Sequence, residues 1–297
     1  MKILKKWGFL IILLFFGTHS YGQLLEKGSI RGNFQLNGQI YKEDPDLGLD
    51  SASIPSEKFL TNAYANFIYT YEHFKVGFRY EAYLNTMRGY DSRYDGQGIP
   101  YKFFSYRNED LEVVAGNYYE QFGNGLLLRS YENKALGYDN SLEGVKVKYH
   151  PHDAVTLKGL IGRQRSFFDL GPGIVRGFDA EVNMNRLFKS RSDAVTQYIL
   201  GGSFVSKYQK DENPVFKLPQ NVGAFSGRFT VNHKMLNVSG EYAYKINDPS
   251  TQNEYIYKDG NALLLNASYS KAGFGVFLGV KRVDNMSFRS DRNATLN

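Results

Sequence analysis

One feature limits what this chain can fold into more than any other. A hydrophobic period of two runs through almost its whole length. In Ser29–Tyr41, Ile30, Gly32, Phe34, Leu36, Gly38 and Ile40 are apolar or small, while Arg31, Asn33, Gln35, Asn37 and Gln39 between them are polar. Successive side chains of a strand point to opposite faces, so this pattern gives one apolar and one polar face. The alternation returns in Phe74–Leu84, where Lys75, Arg79 and Glu81 oppose the apolar row. It returns again where Phe178, Ala180 and Val182 oppose Asp179, Glu181 and Asn183, and once more in Leu236–Ile246 around Glu241.

The pattern predicts about 13 strands: 28–41, 59–71, 73–84, 101–107, 111–122, 142–149, 154–164, 175–187, 195–208, 222–232, 235–246, 261–270 and 273–283. Most are close to the roughly 9–11 residues a tilted strand needs to cross a bilayer. The connections alternate. Those at 42–58, 85–100, 123–141, 165–174, 209–221 and 247–260 are long, whereas those at Glu72, 108–110, 150–153, 189–194, 233–234 and 271–273 are short. This alternation is the plan of an all-β, antiparallel up-and-down transmembrane barrel, with tight periplasmic turns and longer outside loops. Lipid cannot satisfy unpaired backbone groups, so closure is expected. Tyr69, Tyr71, Tyr80, Tyr149 and Tyr269, near strand ends, suit interfacial girdles. Thirteen is odd for a bacterial barrel, and the residues up to Asn297 read as the start of another outside loop. A C-terminally truncated barrel over 23–297 is therefore expected, unless the strand count is off by one.

Residues 1–22 have the three-part plan of a cleaved signal peptide: Lys2, Lys5 and Lys6, an apolar run from Trp7 to Phe16, then small and polar residues. Their loss takes the formal charge from +6 to about +3, which removes the basis for a nucleic-acid partner. With no cysteine, the chain has no disulfide, thiolate or lipoprotein chemistry. No later run of about 18 apolar residues predicts a spanning helix.

The segment Gly123–Asn140 falls in an outside loop. Gly123-Asn124-Gly125 is the punctuation that lets the chain leave the wall, and it lacks the further residues of a phosphate cradle. The run Leu126–Leu128 has to be covered. A strand extension past the membrane rim asks least. An inward-folded constriction loop carrying Glu120, Arg129, Tyr131 and Glu132, or a site for a partner, are the alternatives.

Glu120-Gln-Phe-Gly-Asn-Gly125, Arg129-Ser-Tyr-Glu132 and Gly144-Val-Lys-Val-Lys-Tyr149 resemble a family of Bacteroidota outer-membrane β-barrels, a domain of unknown function. The resemblance covers essentially the whole mature chain. It implies the barrel fold, an outer-membrane location and a longer protein, and it brings no catalytic residues.

Few residues offer chemistry. His150 and His152 flank Pro151, and with Asp153 they suggest a metal site, but they fall in a tight turn where polar residues are expected anyway. His73 and His233 also fall at short turns, far from the outside rim where a Ser–His hydrolase would need them. Asp50-Ser51-Ala52 matches a short glycosylation motif of the same phylum and equally a plain polar loop. No enzyme activity, metal or cofactor is expected. The lining of a water-filled lumen would be Arg31, Asn33, Gln35, Asn37, Gln39, Lys75, Arg79, Glu81, Lys146, Lys148, Lys158, Asp179, Glu181, Asn183, Arg228 and Glu241. Its excess of cations implies weak anion preference. Porin-like passage of small polar solutes is the leading expectation. A non-conducting barrel for surface attachment or an envelope or secretion complex is the alternative, and an outer-membrane hydrolase comes third. The expected partners are outer-membrane lipid and an envelope protein at the outside loops.

Overall fold

A computed structural model describes residues 27–188 and 194–294. The expected signal peptide, most of the connection at 189–194 and Asn297 lie outside the described residues. The strands are β1 (Ser29–Ile40), β2 (Phe59–Tyr71), β3 (Phe74–Leu84), β4 (Gly96–Arg107), β5 (Leu111–Tyr118), β6 (Glu132–Asn133), β7 (Tyr138–Asp139), β8 (Leu142–His152), β9 (Val155–Ser166), β10 (Asp169–Asn183), β11 (Thr196–Tyr208), β12 (Asn221–His233), β13 (Leu236–Lys245), β14 (Gly260–Lys271) and β15 (Phe274–Asp284).

All of these except β6 and β7 form one 13-stranded antiparallel sheet in which each strand lies beside its neighbours in sequence. β6 and β7 pair separately, inside the connection between β5 and β8. Closure is not seen among the described residues: β1 and β15 are edges, and nearly every residue of both is exposed, on either face.

Several expected boundaries move: β4 begins at Gly96 rather than 101, β8 runs on to His152 rather than 149, and three further changes have a local reason. β9 and β10 form a hairpin turning at Phe167 and Phe168, so the connection expected at 165–174 is mostly strand, with a bulge between Leu170 and Ile174. β5 ends at Tyr118, because the chain turns inward there. β10 ends at Asn183, whose side chain caps a one-turn helix at Met184–Leu187 by accepting from the Arg186 N–H.

The register separates the two faces. Ile30, Phe34 and Leu36 of β1 lie opposite Tyr69, Ala65 and Ala63 of β2, and Phe67 lies opposite Phe78 of β3, with the rings stacked at 5.1 Å. Across the sheet this row stays exposed, as at Phe104, Phe178, Phe204, Phe225 and Phe229. The opposite face is covered: Tyr64, Val205, Ala224, Ala243 and Ala262 are buried on it.

Glycines make the close approaches possible. Gly116, Gly144 and Gly162 lie opposite one another across β5, β8 and β9. The Tyr118 ring reaches over this row, and its hydroxyl donates to the Ile161 carbonyl at 3.0 Å. Gly116 has φ +102°, and a Cβ there would stand 2.3 Å from the Lys102 carbonyl oxygen. Gly116→Ala should destabilise the sheet by about 1–3 kcal/mol, read as a lower denaturant midpoint for the refolded chain in detergent. An unchanged midpoint would mean that the β4–β5 pairing tolerates a side chain at Gly116.

Candidate functional site

The covered face owes its cover to the segment between β5 and β8. After Tyr118 the chain forms an irregular hairpin: Phe122 N–H donates to Leu128 O, Ser130 N–H to Glu120 O, and the tip is closed by Gly125 N–H to Phe122 O at 2.8 Å. Gly123 and Gly125, at φ +50° and +83°, permit this turn. The hairpin crosses the polar face from β5 as far as β13, where Asn124 donates to Glu241 Oε2 from its backbone N–H (2.8 Å) and its side-chain amide (2.9 Å). Gly-Asn-Gly is thus the docking tip of an inward hairpin and not an exit from the wall. Contact with the wall is close at Gly123, where a Cβ would meet Glu241 Oε2 at 2.8 Å, and at Gly177 of β10, where it would meet the Phe122 ring at 2.6 Å.

The three leucines follow the tip. Phe122 and Leu127 are buried among Val114, Leu142, Leu160, Val175, Val205 and Ala224, with Leu126 and Leu128 packed against the cluster. Of the three placements open for Leu126–Leu128, the strand extension is ruled out and the inward fold is found. Its physical reason is the patch of small and apolar residues within the otherwise polar row, which gives the leucines a dry surface.

Ion pairs fasten the rest of the segment. Glu120 lies 2.8 Å from Lys158 Nζ and 3.4 Å from Lys146 Nζ, and Lys146 also pairs with Glu112 at 3.2 Å. Glu132 and Asp139 both meet Arg79, at 2.8 and 2.5 Å. Arg165 bridges Asp139 and Glu81 at 2.6 Å each, and Glu81 also holds Arg79. Arg129 stacks over Tyr131 at 4.8 Å. Three acids of the segment therefore face four cations of the wall. Buried charges are stable only when paired and hydrogen-bonded, and Arg79, Glu81 and Arg165 meet that condition with almost no exposure.

All sixteen expected lining residues lie on this one face by register, but in two conditions. On the edge strand Arg31, Asn33, Gln35 and Gln39 are exposed and Asn37 is half-buried, and Lys75 is exposed as well. Arg79, Glu81, Asp179 and Glu241 are buried and engaged. Arg228 holds Asp179 at 2.7 Å and Glu181 at 3.2 Å, while Ser203 donates to Asp179 at 2.6 Å. Lys146, Lys148 and Lys158 line a recess beside Glu120, and Asn183 is spent on its helix cap. Asp139, Arg165 and Asn124, which hold the segment in place, carry no sequence signal: each sits in a stretch with no period.

The segment divides two cavities. On the short-turn side, about 460 Å³ is lined by Lys75, Tyr101, Glu112, Tyr119 and Lys146. On the long-loop side, about 1000 Å³ is lined by Tyr90, Tyr94, Asp139, Arg165, Phe167 and Arg289. Tyr94, in the β3–β4 loop, has its phenol pushed up to about 12 by desolvation, against the opposing pull of Arg165. The four described histidines sit at the short-turn side in ordinary hydrogen bonds, for example His150 with Thr156 and His233 with Thr196. Among the described residues, no group of three His, Cys, Asp or Glu is placed to hold a metal ion. Asp50 accepts from Ala52 N–H, Ser53 N–H and the Ser53 hydroxyl, as a loop cap does.

The model of the Family of unknown function (DUF6029) matches residues 4–297. The chain belongs to this family. No curated protein matches it in sequence. Among solved structures, it is similar to OccK3 (OpdO) of Pseudomonas aeruginosa, with 12% identity, 92% of this chain and 85% of that one covered, and a TM-score of 0.42. A BenF-like porin from Pseudomonas fluorescens gives 10%, 88%, 94% and 0.34, in the same order. OmpT, an outer membrane protein of Vibrio cholerae, gives 11%, 90%, 96% and 0.37 in a form lacking loop L8.

Phe122→Ala should free the hairpin, costing about 3–5 kcal/mol of packing, the range for a buried Phe. The expected readout is rapid proteolytic cleavage within 119–131 while the sheet stays intact. Equal protection in both proteins would mean that the ion pairs alone hold the segment.

Proposed function

We propose that this chain forms the wall of an outer-membrane channel for small polar solutes, with residues 119–141 as its constriction. The observation that carries the reading is the hairpin itself, which lies on the polar face between two cavities and sets Glu120, Glu132 and Asp139 against Lys146, Lys158, Arg79 and Arg165. Facing acids and bases make a transverse field that orients a polar solute, and passage is passive, without a catalytic residue or cofactor. The membrane part of the reading rests on the opposite face. Each Phe or Leu left in water there forgoes roughly 1.5–3 kcal/mol of burial, a loss that hydrocarbon removes.

The apolar cluster around Phe122 and Leu127 favours a second reading. It fills the middle of the polar face, as a silent barrel serving surface attachment or an envelope complex would require. A planar-bilayer recording separates the two. Discrete conductance steps that grow in Phe122→Ala support the channel, and a folded chain silent in both forms supports the second reading. Exposed Lys75 and Arg31 together with Lys148 predict a reversal potential showing weak anion preference. A cation preference would overturn that assignment of charge.

A further inference from the structure

On the apolar face charge is almost absent from β1 to β13, while the edge strand β15 carries Arg282 opposite the outward Leu263. Over the outward positions of β1 to β13, the charged side chains among the described residues are Lys102, Glu143, Arg163 and Arg176, and all four fall on the neighbouring strands β4, β8, β9 and β10. Lys102 lies opposite the outward Phe78. Arg163 lies opposite Glu143 on one side and Ile174 on the other, and Arg176 lies opposite the outward Ile161.

Their arrangement is ordered. Lys102 Nζ reaches across β5 to Glu143 at 3.3 Å. Arg163 is held by the carbonyls of Gly171 (2.9 Å) and Leu170 (3.3 Å) at the β10 bulge. Arg176 lies 5.8 Å from the Tyr208 ring centre. All three cations remain exposed, and one acid leaves a surplus of two positive charges.

Height gives the patch its meaning. Towards the short turns, every outward residue on these strands is uncharged: Phe104 and Tyr106, Val145 and Val147, Leu157 and Ile161, Phe178 and Ala180. Arg163 stands eight residues beyond Val155, where β9 begins. At about 3.3 Å per residue and a tilt near 45°, that is roughly 19 Å, and an apolar band is about 25 Å tall. The cations thus stand towards the upper part of the band, on the side of the long loops.

We propose that Lys102, Arg163 and Arg176 form a seat for the phosphate groups of an anionic outer-leaflet lipid. The proposal rests on the membrane reading above. A cation in contact with hydrocarbon is costly unless its head reaches the headgroup level, and phosphate there both solvates it and neutralises the surplus. Guanidinium matches phosphate bidentately. A second copy of this chain is a poorer occupant, because a two-fold contact would bring surplus cations against surplus cations.

The test is spin-label resonance on the full chain in phosphatidylcholine vesicles, comparing motionally restricted phosphatidic acid with restricted phosphatidylcholine. The wild type should prefer phosphatidic acid by about five-fold or more, five-fold being the roughly 1 kcal/mol that a single basic residue contributes at a lipid surface. Added salt should weaken the preference, the triple variant K102Q/R163Q/R176Q should abolish it, and Lys210→Gln in a loop should leave it intact. Equal restriction of both lipids by the wild type would overturn the seat while leaving the membrane reading standing. A preference that survives in the triple variant would also overturn it, by placing the lipid elsewhere. No restricted lipid of either kind would refute the membrane reading and the seat together. Loss of a cross-linked dimer or trimer in the triple variant, without a change in lipid preference, would reassign the patch to contact between copies.

Discussion

The structure depends on a backbone constraint. A strand turns successive side chains to opposite faces, and an antiparallel neighbour must match that alternation residue for residue or bury the wrong set. With thirteen strands joined in sequence order, one register decision repeats across the sheet. Phe34, Phe67 and Phe178 fall on one face and Asn33, Asn66 and Asp179 on the other, because each pair of strands inherits the phase of the last. Bulges at the Arg79–Glu81 pairing and at Leu170–Ile174 reset the phase locally and bend the wall.

Given that separation, the polar face has to satisfy its own charges. It does so with the segment between β5 and β8, which supplies acids where the wall supplies Arg and Lys, and amides where the wall supplies Glu241. The same segment brings Phe122 and Leu127 to a stretch of wall that carries Val175, Val205 and Ala224 in place of polar residues. Packing and ion pairing therefore act together, and neither places the hairpin alone. Arg79 shows the balance: its burial is tolerated because Glu81, Glu132 and Asp139 all converge on it and Tyr101 lies beneath at 5.0 Å.

The outward face follows another rule. Over β1 to β13 it carries no charge towards the short turns, and Lys102, Glu143, Arg163 and Arg176 appear together towards the long loops. The alternation alone would have set these positions as apolar. Their departure from it is informative because the rest of the face from β1 to β13 obeys it, and a local rule is most often broken where a binding or strained site compensates.

The sequence by itself determined the strands, many of their boundaries, the face on which the strand residues lie and the alternation of long and short connections except between β9 and β10, where a two-residue turn stands in place of the long connection. These properties are local, since a period of two is visible within ten residues and its phase fixes the rest. It also determined that Leu126–Leu128 had to be covered. Only the tertiary structure decided by what. Asn124 and Glu241 are 117 residues apart, and Arg165 and Glu81 are 84 apart. Such contacts depend on how far the sheet curves and how long the hairpin reaches across it, quantities with no period and no neighbour in the chain to reveal them. The same reason hid Asp139 and Arg165: a charged residue in a loop reads as solvated until the fold brings its partner within 3 Å.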